Sequence, residues 1–168
     1  HQGVAAFAAA HKYADVGDIL AAARTKNEPP FIIIADGLND PHNLGSIIRS
    51  ANAAGAHGVI IPKNRSVSLN SVVAKVSTGA VEYTPVARVT NIAQTIEKLK
   101  KEGLWICGTA LEASEDYFDV DLTGALAIVI GSEGEGISRI VRESCDFLVK
   151  IPMKGQTESL NASVAAGI

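Results

Sequence analysis

Three polar stretches hold most of the side chains able to do chemistry, and each follows a short apolar run. The first is Asp36-Gly37-Leu38-Asn39-Asp40-Pro41-His42-Asn43-Leu44-Gly45, ahead of a segment bearing Arg49 and Asn52. Asp, Asn, Pro and Gly serve turns for backbone reasons alone, so Asn39, Asp40 and Pro41 read as turn residues. Asn43 is equally a helix N-cap. Arg49 differs, because its neighbours Ile47, Ile48, Ala51 and Ala53 are apolar or small. An arginine buried among them needs a carboxylate or phosphate partner.

The second stretch, Gly131-Ser132-Glu133-Gly134-Glu135-Gly136, has the spacing G-x-x-G-x-G. Dinucleotide folds use G-x-G-x-x-G, and two carboxylates would repel a pyrophosphate, so a phosphate cradle is disfavoured. Glu133 suits hydrogen bonds from hydroxyl or amino groups, or pairing with an arginine such as Arg49. Glu135 reads as a turn residue in solvent. The third stretch, 151–163, passes from Ile151 through Gly155 to Ser159, Leu160, Asn161 and Ser163 at the start of an Ala-rich helix. Ser159 is equally a cap of that helix.

Other chemistries find no support. There is no G-x-S-x-G elbow, and the histidines, His1, His11, His42 and His57, show neither a triad order nor a metal-ligand spacing. We expect no metal. Cys107 and Cys145 lack C-x-x-C spacing, which argues against a disulfide and fits a reducing cytoplasm. Lys63, Arg65, Arg88 and Lys154 lie on or near loops after strands. Each alone reads as a solvated surface charge rather than a contact; clustered on one face they would be contacts for a polyanion such as RNA.

The elements that must position these loops follow from pattern. A chain of 168 residues, 47% hydrophobic and rich in Ala, Val, Ile and Leu, is long enough for one substantial core of the α/β class. Apolar runs at 31–35, 58–61, 81–86, 104–108, 125–130 and 147–151 predict six strands of a mostly parallel sheet. Helices are predicted on both faces, at 44–54, 69–77, 91–102, 137–144 and from Ser159 onward. In such sheets ligands sit beyond the carboxyl ends of strands, where all three polar stretches fall. Residues 1–30 read as a leader or linker, with a short helix near 16–23 and a close at Pro29-Pro30. No apolar run reaches the roughly 20 residues of a membrane span.

In order, N-L-G-x-x-x-R from Asn43, G-x-E-x-x-G from Gly131 and I-P-M-x-G-x-x-x-S-L-N-x-S from Ile151 resemble the three motifs of the SpoU family of RNA ribose 2′-O-methyltransferases. The resemblance covers about residues 31–168, a catalytic domain expected to be truncated in its last helix. The leader resembles a segment joining a small N-terminal RNA-binding domain, which is missing here. Among subfamilies the sequence most resembles bacterial enzymes that methylate a guanosine ribose in large-subunit (23S) ribosomal RNA.

The resemblance implies a deep C-terminal trefoil knot and a homodimer with its active site at the subunit interface. It also implies a catalytic set of Asn43, Arg49, Glu133, Ser159 and Asn161. S-adenosylmethionine would bind bent against backbone groups around Thr109, Gly131, Ile151 and Leu160, with Gly108 and Gly155 lining the site. Arg49 would activate the 2′-hydroxyl as a base, although a guanidinium is intrinsically a poor one; the alternative is a phosphate clamp oriented by Glu133, with Ser159 and Asn161 positioning the ribose. A net charge of −3 and pI near 5.8 run against nucleic acid as a partner, so a basic docking module would lie outside the chain. Three rivals stay open: a tRNA-directed enzyme of the same family, a catalytically idle RNA-binding or ribosome-assembly protein, and a nucleotide- or flavin-binding module.

Overall fold

Continuous Ile/Val runs are what a parallel sheet covered on both faces requires, since neither side of its strands meets water. The computed structural model describes residues 13–168, so the beginning of the leader, His1 to Ala5, lies outside the described residues. Its strands are β1 (Phe31–Asp36), β2 (Gly58–Pro62), β3 (Val86–Val89), β4 (Trp105–Thr109), β5 (Glu115–Asp116), β6 (Leu126–Gly131) and β7 (Phe147–Lys150). They pair in parallel in the order β3-β2-β1-β6-β4-β7-β5. The helices are α1 (Val16–Thr25), α2 (Pro41–Ala53), α3 (Ser71–Val76), α4 (Ile92–Lys101), α5 (Arg139–Ser144) and α6 (Ala162–Gly167).

The period of two along each strand divides the core into two layers. On one face Ile33 and Ala35 of β1 join Val59 and Ile61 of β2 beneath α2, α3 and α6. On the other, Ile32 and Ile34 join Ile60, Ile106 and Val129 beneath α1, α4 and α5. Farther along the first face, Cys107, Leu126 and Val149 are covered by Tyr117, Val120 and Leu122 of the segment before β6. Close helix approach is bought with glycine: a Cβ on Gly58 would sit 2.5 Å from Ile19 of α1, and one on Gly45 2.8 Å from Val76 of α3.

Two expectations about strands need correction. The sheet has seven strands rather than six, because Glu115–Asp116 pairs with β7 without any apolar run to betray it. The run at 81–86 is not a strand: Ala80–Glu82 is a 3₁₀ turn entered through Gly79 at φ +86°, and β3 begins only at Val86. Pro85 precedes it and has no amide to donate to a ladder. Val81 is buried from the turn instead, and an apolar run too short to show a period cannot distinguish the two.

The helix expected within the leader is α1, and it is built into the core. Ile19 and Ala23 are fully buried, and the Asp15 and Asp18 side chains form a reciprocal capping box at its start. Tyr13 receives the Leu69 amide at 2.8 Å and lies 4.2 Å beneath the Arg88 guanidinium. His57 joins the same region to β1, its Nδ1 accepting from the Phe31 amide and its Nε2 donating to Glu28, both at 2.9 Å.

Candidate active site

A cavity of about 570 Å³ opens beyond the carboxyl ends of β4, β6 and β7, a volume within the usual range for small-molecule sites. Its position follows from topology. After β3 the chain crosses β1 to lay down β4, then returns to insert β6 between them, leaving a crevice where neighbouring strands send their loops in different directions. Ile130, Ile137, Val149, Ile151 and Leu160 give it apolar walls. Four carboxylates, Glu112, Glu133, Glu135 and Glu158, face two cations, Arg142 and Lys150.

The loop after β6 shows why its glycines are there. Ser132 and Gly136 exchange backbone hydrogen bonds of 3.1 and 2.8 Å, with Gly134 and Gly136 at φ +85° and +69°. The loop thus folds back until a Cβ on Gly131 would lie 2.1 Å from the Gly136 carbonyl carbon. Only glycine permits that approach. Asp36 at the end of β1 accepts the Ser138 amide at 3.0 Å, fixing the point where this loop becomes α5. Arg142 of α5 then reaches back to form an ion pair with Glu112 in the turn after β4.

Of the five expected catalytic residues, Glu133, Ser159 and Asn161 line the cavity, and Asn43 and Arg49 do not. The latter two sit on α2, and α6 packs against both α2 and β6. Ala162 and Ala165 of α6 line the cavity, while a Cβ on Gly167 would approach Ser50 of α2 at 3.8 Å. Arg49 is exposed, not buried among its apolar neighbours; it makes no ion pair with Glu133 or any other group among the described residues. Asn43 is 4% exposed and is not the cap. Asp40 caps α2 by accepting the His42 amide at 2.9 Å, with Pro41 in the first helical position. Ser159 caps nothing either. Asn161 does, its Oδ1 accepting from the Ser163 and Val164 amides at 2.9 and 3.3 Å.

Among the residues expected around the cofactor, Thr109, Gly131, Ile151 and Leu160 line the cavity. Gly108 lies one residue deeper in β4, where a Cβ would meet Leu148 of β7 and Cys145 at 2.7 and 2.8 Å, and it stands outside the cavity lining. Gly155 is exposed, has open space around it and stands outside the lining. The Thr109 hydroxyl is committed to the Val129 carbonyl at 2.9 Å, so at this position backbone is what remains for a ligand. Glu112 and Arg142 went unread in the sequence: thirty residues apart and part of no motif, they meet only through the sheet.

The comparisons with known proteins agree with this architecture. The model of the SpoU rRNA Methylase family matches residues 30–168. The chain belongs to the SpoU methylase family. It is 58% identical over its full 168 residues to YacO of Bacillus subtilis, named as a TrmH family tRNA/rRNA methyltransferase, of which it spans 68%. A Staphylococcus saprophyticus relative of the same naming is 56% identical over the same span. The SpoU methyltransferase AviRb of Streptomyces viridochromogenes, solved with its cofactor AdoMet, superposes with a TM-score of 0.77 at 35% identity, over 83% of this chain and 55% of that one. An AdoMet-bound rRNA methyltransferase of Sinorhizobium meliloti gives 0.81 at 29%, over 94% and 58%. The chain therefore spans little more than half of these solved SpoU structures.

The SpoU cavity fits S-adenosylmethionine in its chemistry. Apolar walls suit an adenine ring, backbone at Thr109 and Gly131 suits its edge, and a carboxylate majority suits a sulfonium and an ammonium. A nucleoside polyphosphate would meet those same carboxylates as repulsion. Of the candidate RNA contacts, Lys63 and Arg65 are exposed on the loop after β2. That loop is pinned to the first polar stretch by the Val67 amide, which donates to the Leu38 carbonyl at 2.7 Å. Gly37 in turn lies within 4.0 Å of both Arg65 and Ser132 atoms, measured from its ideal Cβ, so this loop adjoins the cavity. Lys154 is exposed between β7 and α6. Arg88 is engaged by Tyr13. Among the described residues no helix is long and apolar enough to cross a membrane.

Proposed function

We propose that this domain transfers a methyl group from S-adenosylmethionine to the 2′-hydroxyl of a ribose in structured RNA, with a guanosine of large-subunit ribosomal RNA as substrate. The observation that carries this reading is the meeting of Glu133, Ser159, Leu160 and Asn161, from two motifs remote in sequence, around one carboxylate-rich cavity. S-adenosylmethionine supplies the methyl group as a sulfonium, which becomes neutral on transfer. The chain's part is to hold the donor and acceptor in line, which is where most of the rate enhancement lies. Ser159, exposed at the rim, is free to orient a ribose hydroxyl, and Asn161 keeps its amide nitrogen for the same task while its oxygen caps α6.

Arg49 completes the set from a second copy. An exposed arginine beside α6, outside its own chain's cavity, fits a homodimer in which each α2 faces the partner's site. Leu160 and Val164, at 36% and 52% exposure, supply apolar surface for that contact. In this reading Arg49 clamps a backbone phosphate and lowers the hydroxyl's pKa electrostatically. The deep C-terminal knot, a cytoplasmic location and a separate basic RNA-binding domain joined through the leader belong to the same proposal. The rRNA substrate is favoured over tRNA by the ribosomal subfamily resemblance; the similar structures include both an rRNA methyltransferase and a tRNA modifying enzyme.

The test is methyl transfer by this chain to purified ribosomal RNA and to tRNA, with the product ribose mapped by mass spectrometry. A 2′-O-methylguanosine in ribosomal RNA alone supports the reading, and transfer to tRNA alone would replace it with the tRNA alternative. Arg49→Ala should abolish transfer and leave cofactor binding unchanged. If Arg49→Lys keeps substantial turnover, a point charge is enough; if it is as inactive as Arg49→Ala while RNA still binds, hydroxyl activation is favoured.

A further inference from the structure

We propose that Arg142 is the anchor for the α-carboxylate of the cofactor's methionyl part, and that Glu112 is the counter-ion this carboxylate replaces. The inference rests on the methyltransferase reading and adds a residue to it that lies in none of the three motifs. S-adenosylmethionine carries one carboxylate, one ammonium and one sulfonium. The two cationic groups find acceptors in the cavity's glutamates, but the carboxylate meets repulsion from every one of them unless it lies against a cation. Among the described lining residues that leaves Arg142 and Lys150.

Arg142 is the better of the two on chemistry and placement. Its planar guanidinium offers a fork of donors matched to a carboxylate, which a lysine lacks. It already holds one: its Nη1 donates to Glu112 Oε1 at the cavity wall. It is also well placed to stay put, because α5 is tied at its start to Asp36 and buries Val141 in the core. Glu112 is the partner that can yield. Its side chain is 58% exposed against 35% for Arg142, and it sits on a short turn closed by one bond from the Ala113 amide to the Ala110 carbonyl at 3.2 Å. An exposed pair of this kind adds little to folding stability, so exchanging one carboxylate for another leaves the fold intact.

The test uses calorimetric titration of the whole chain with S-adenosylhomocysteine and with 5′-methylthioadenosine, which lacks the amino-acid part. Arg142→Gln should weaken S-adenosylhomocysteine binding at least tenfold while 5′-methylthioadenosine binds as it does to the wild type. Arg142→Lys should recover part of the loss. Glu112→Gln should bind S-adenosylhomocysteine as tightly as the wild type or a few-fold tighter. Three results would overturn the assignment: unchanged S-adenosylhomocysteine affinity in Arg142→Gln, an equal loss for both ligands, or a loss in Glu112→Gln matching that in Arg142→Gln. If the wild type binds neither ligand, the cofactor reading itself fails, and that outcome is separate from the others.

Discussion

Gly131 and Gly155 offer a controlled comparison, because both lie in motifs expected to hold the cofactor and the structure treats them oppositely. A methyl group on Gly131 would fall 2.1 Å from the Gly136 carbon and 2.3 Å from the Ile137 nitrogen, so backbone must move. Overpacking of this kind costs about 1–3 kcal/mol. Opening the loop also weakens the two Ser132–Gly136 hydrogen bonds, each contributing about 1 kcal/mol. The sum for Gly131→Ala is about 3 kcal/mol, or roughly 6–12 °C in Tm for a domain of this size. The loop is also a cavity wall, so S-adenosylhomocysteine affinity should fall by about tenfold or more. Gly155→Ala, with nothing within 4 Å, should leave both quantities unchanged. Thermal melts by circular dichroism and calorimetric titration measure the two. A Gly131→Ala protein with wild-type Tm and wild-type affinity would refute the argument from close approach.

Other consequences follow from particular groups. The Thr84 hydroxyl is buried without a partner among the described residues, so Thr84→Val should raise stability by about 1 kcal/mol in urea titration. Burial pushes the Cys107 thiol up to about 12 and the Cys145 thiol up to about 11. The folded state therefore keeps protons that the unfolded chain releases near pH 8.5–9. The thiols' contribution to stability should be constant below that range and fall as pH rises toward 11–12, and iodoacetamide at pH 8 should label neither thiol without denaturant. Asn161→Ala should cost about 1 kcal/mol through loss of the α6 cap, while Asn161→Asp, which keeps the acceptor, should restore stability; equal melts for the two would remove the capping role.

Much of the architecture was legible because a doubly covered parallel sheet leaves a strong trace. Runs such as Phe31-Ile32-Ile33-Ile34 and Ala127-Ile128-Val129-Ile130 are apolar at every position, and Gly55 and Gly103 end helices at φ +81° and +92°. The weak points were elements whose residues carry no pattern. The strand Glu115–Asp116 is a polar edge defined only by pairing with β7, and Val81 is apolar for burial in a turn rather than in a strand. α1 was readable as a helix, but its place in the core depends on Ile19 meeting the bare Cα of Gly58, a contact across 39 residues.

The same division runs through the site. Types and order of residues were enough to point to Glu133, Ser159, Leu160 and Asn161, because loops after parallel strands converge whatever their separation in the chain. Distance and direction were not available from order. Arg49 was expected to pair with Glu133, yet α6 comes to lie beside α2 and the two do not meet within one chain. Gly108 and Gly155 looked alike as small residues near the cofactor, and only tertiary packing shows one wedged against Leu148 and Cys145 and the other in open space. Glu112 and Arg142 carried no local signal at all. The sequence by itself determined which chemical groups reach the carboxyl edge of the sheet, since strand periodicity and turn chemistry are local properties. Which of them face one another was decided by the insertion of β6 between β1 and β4 and the return of α6 onto α2, contacts whose energy is spread over residues far apart in the chain.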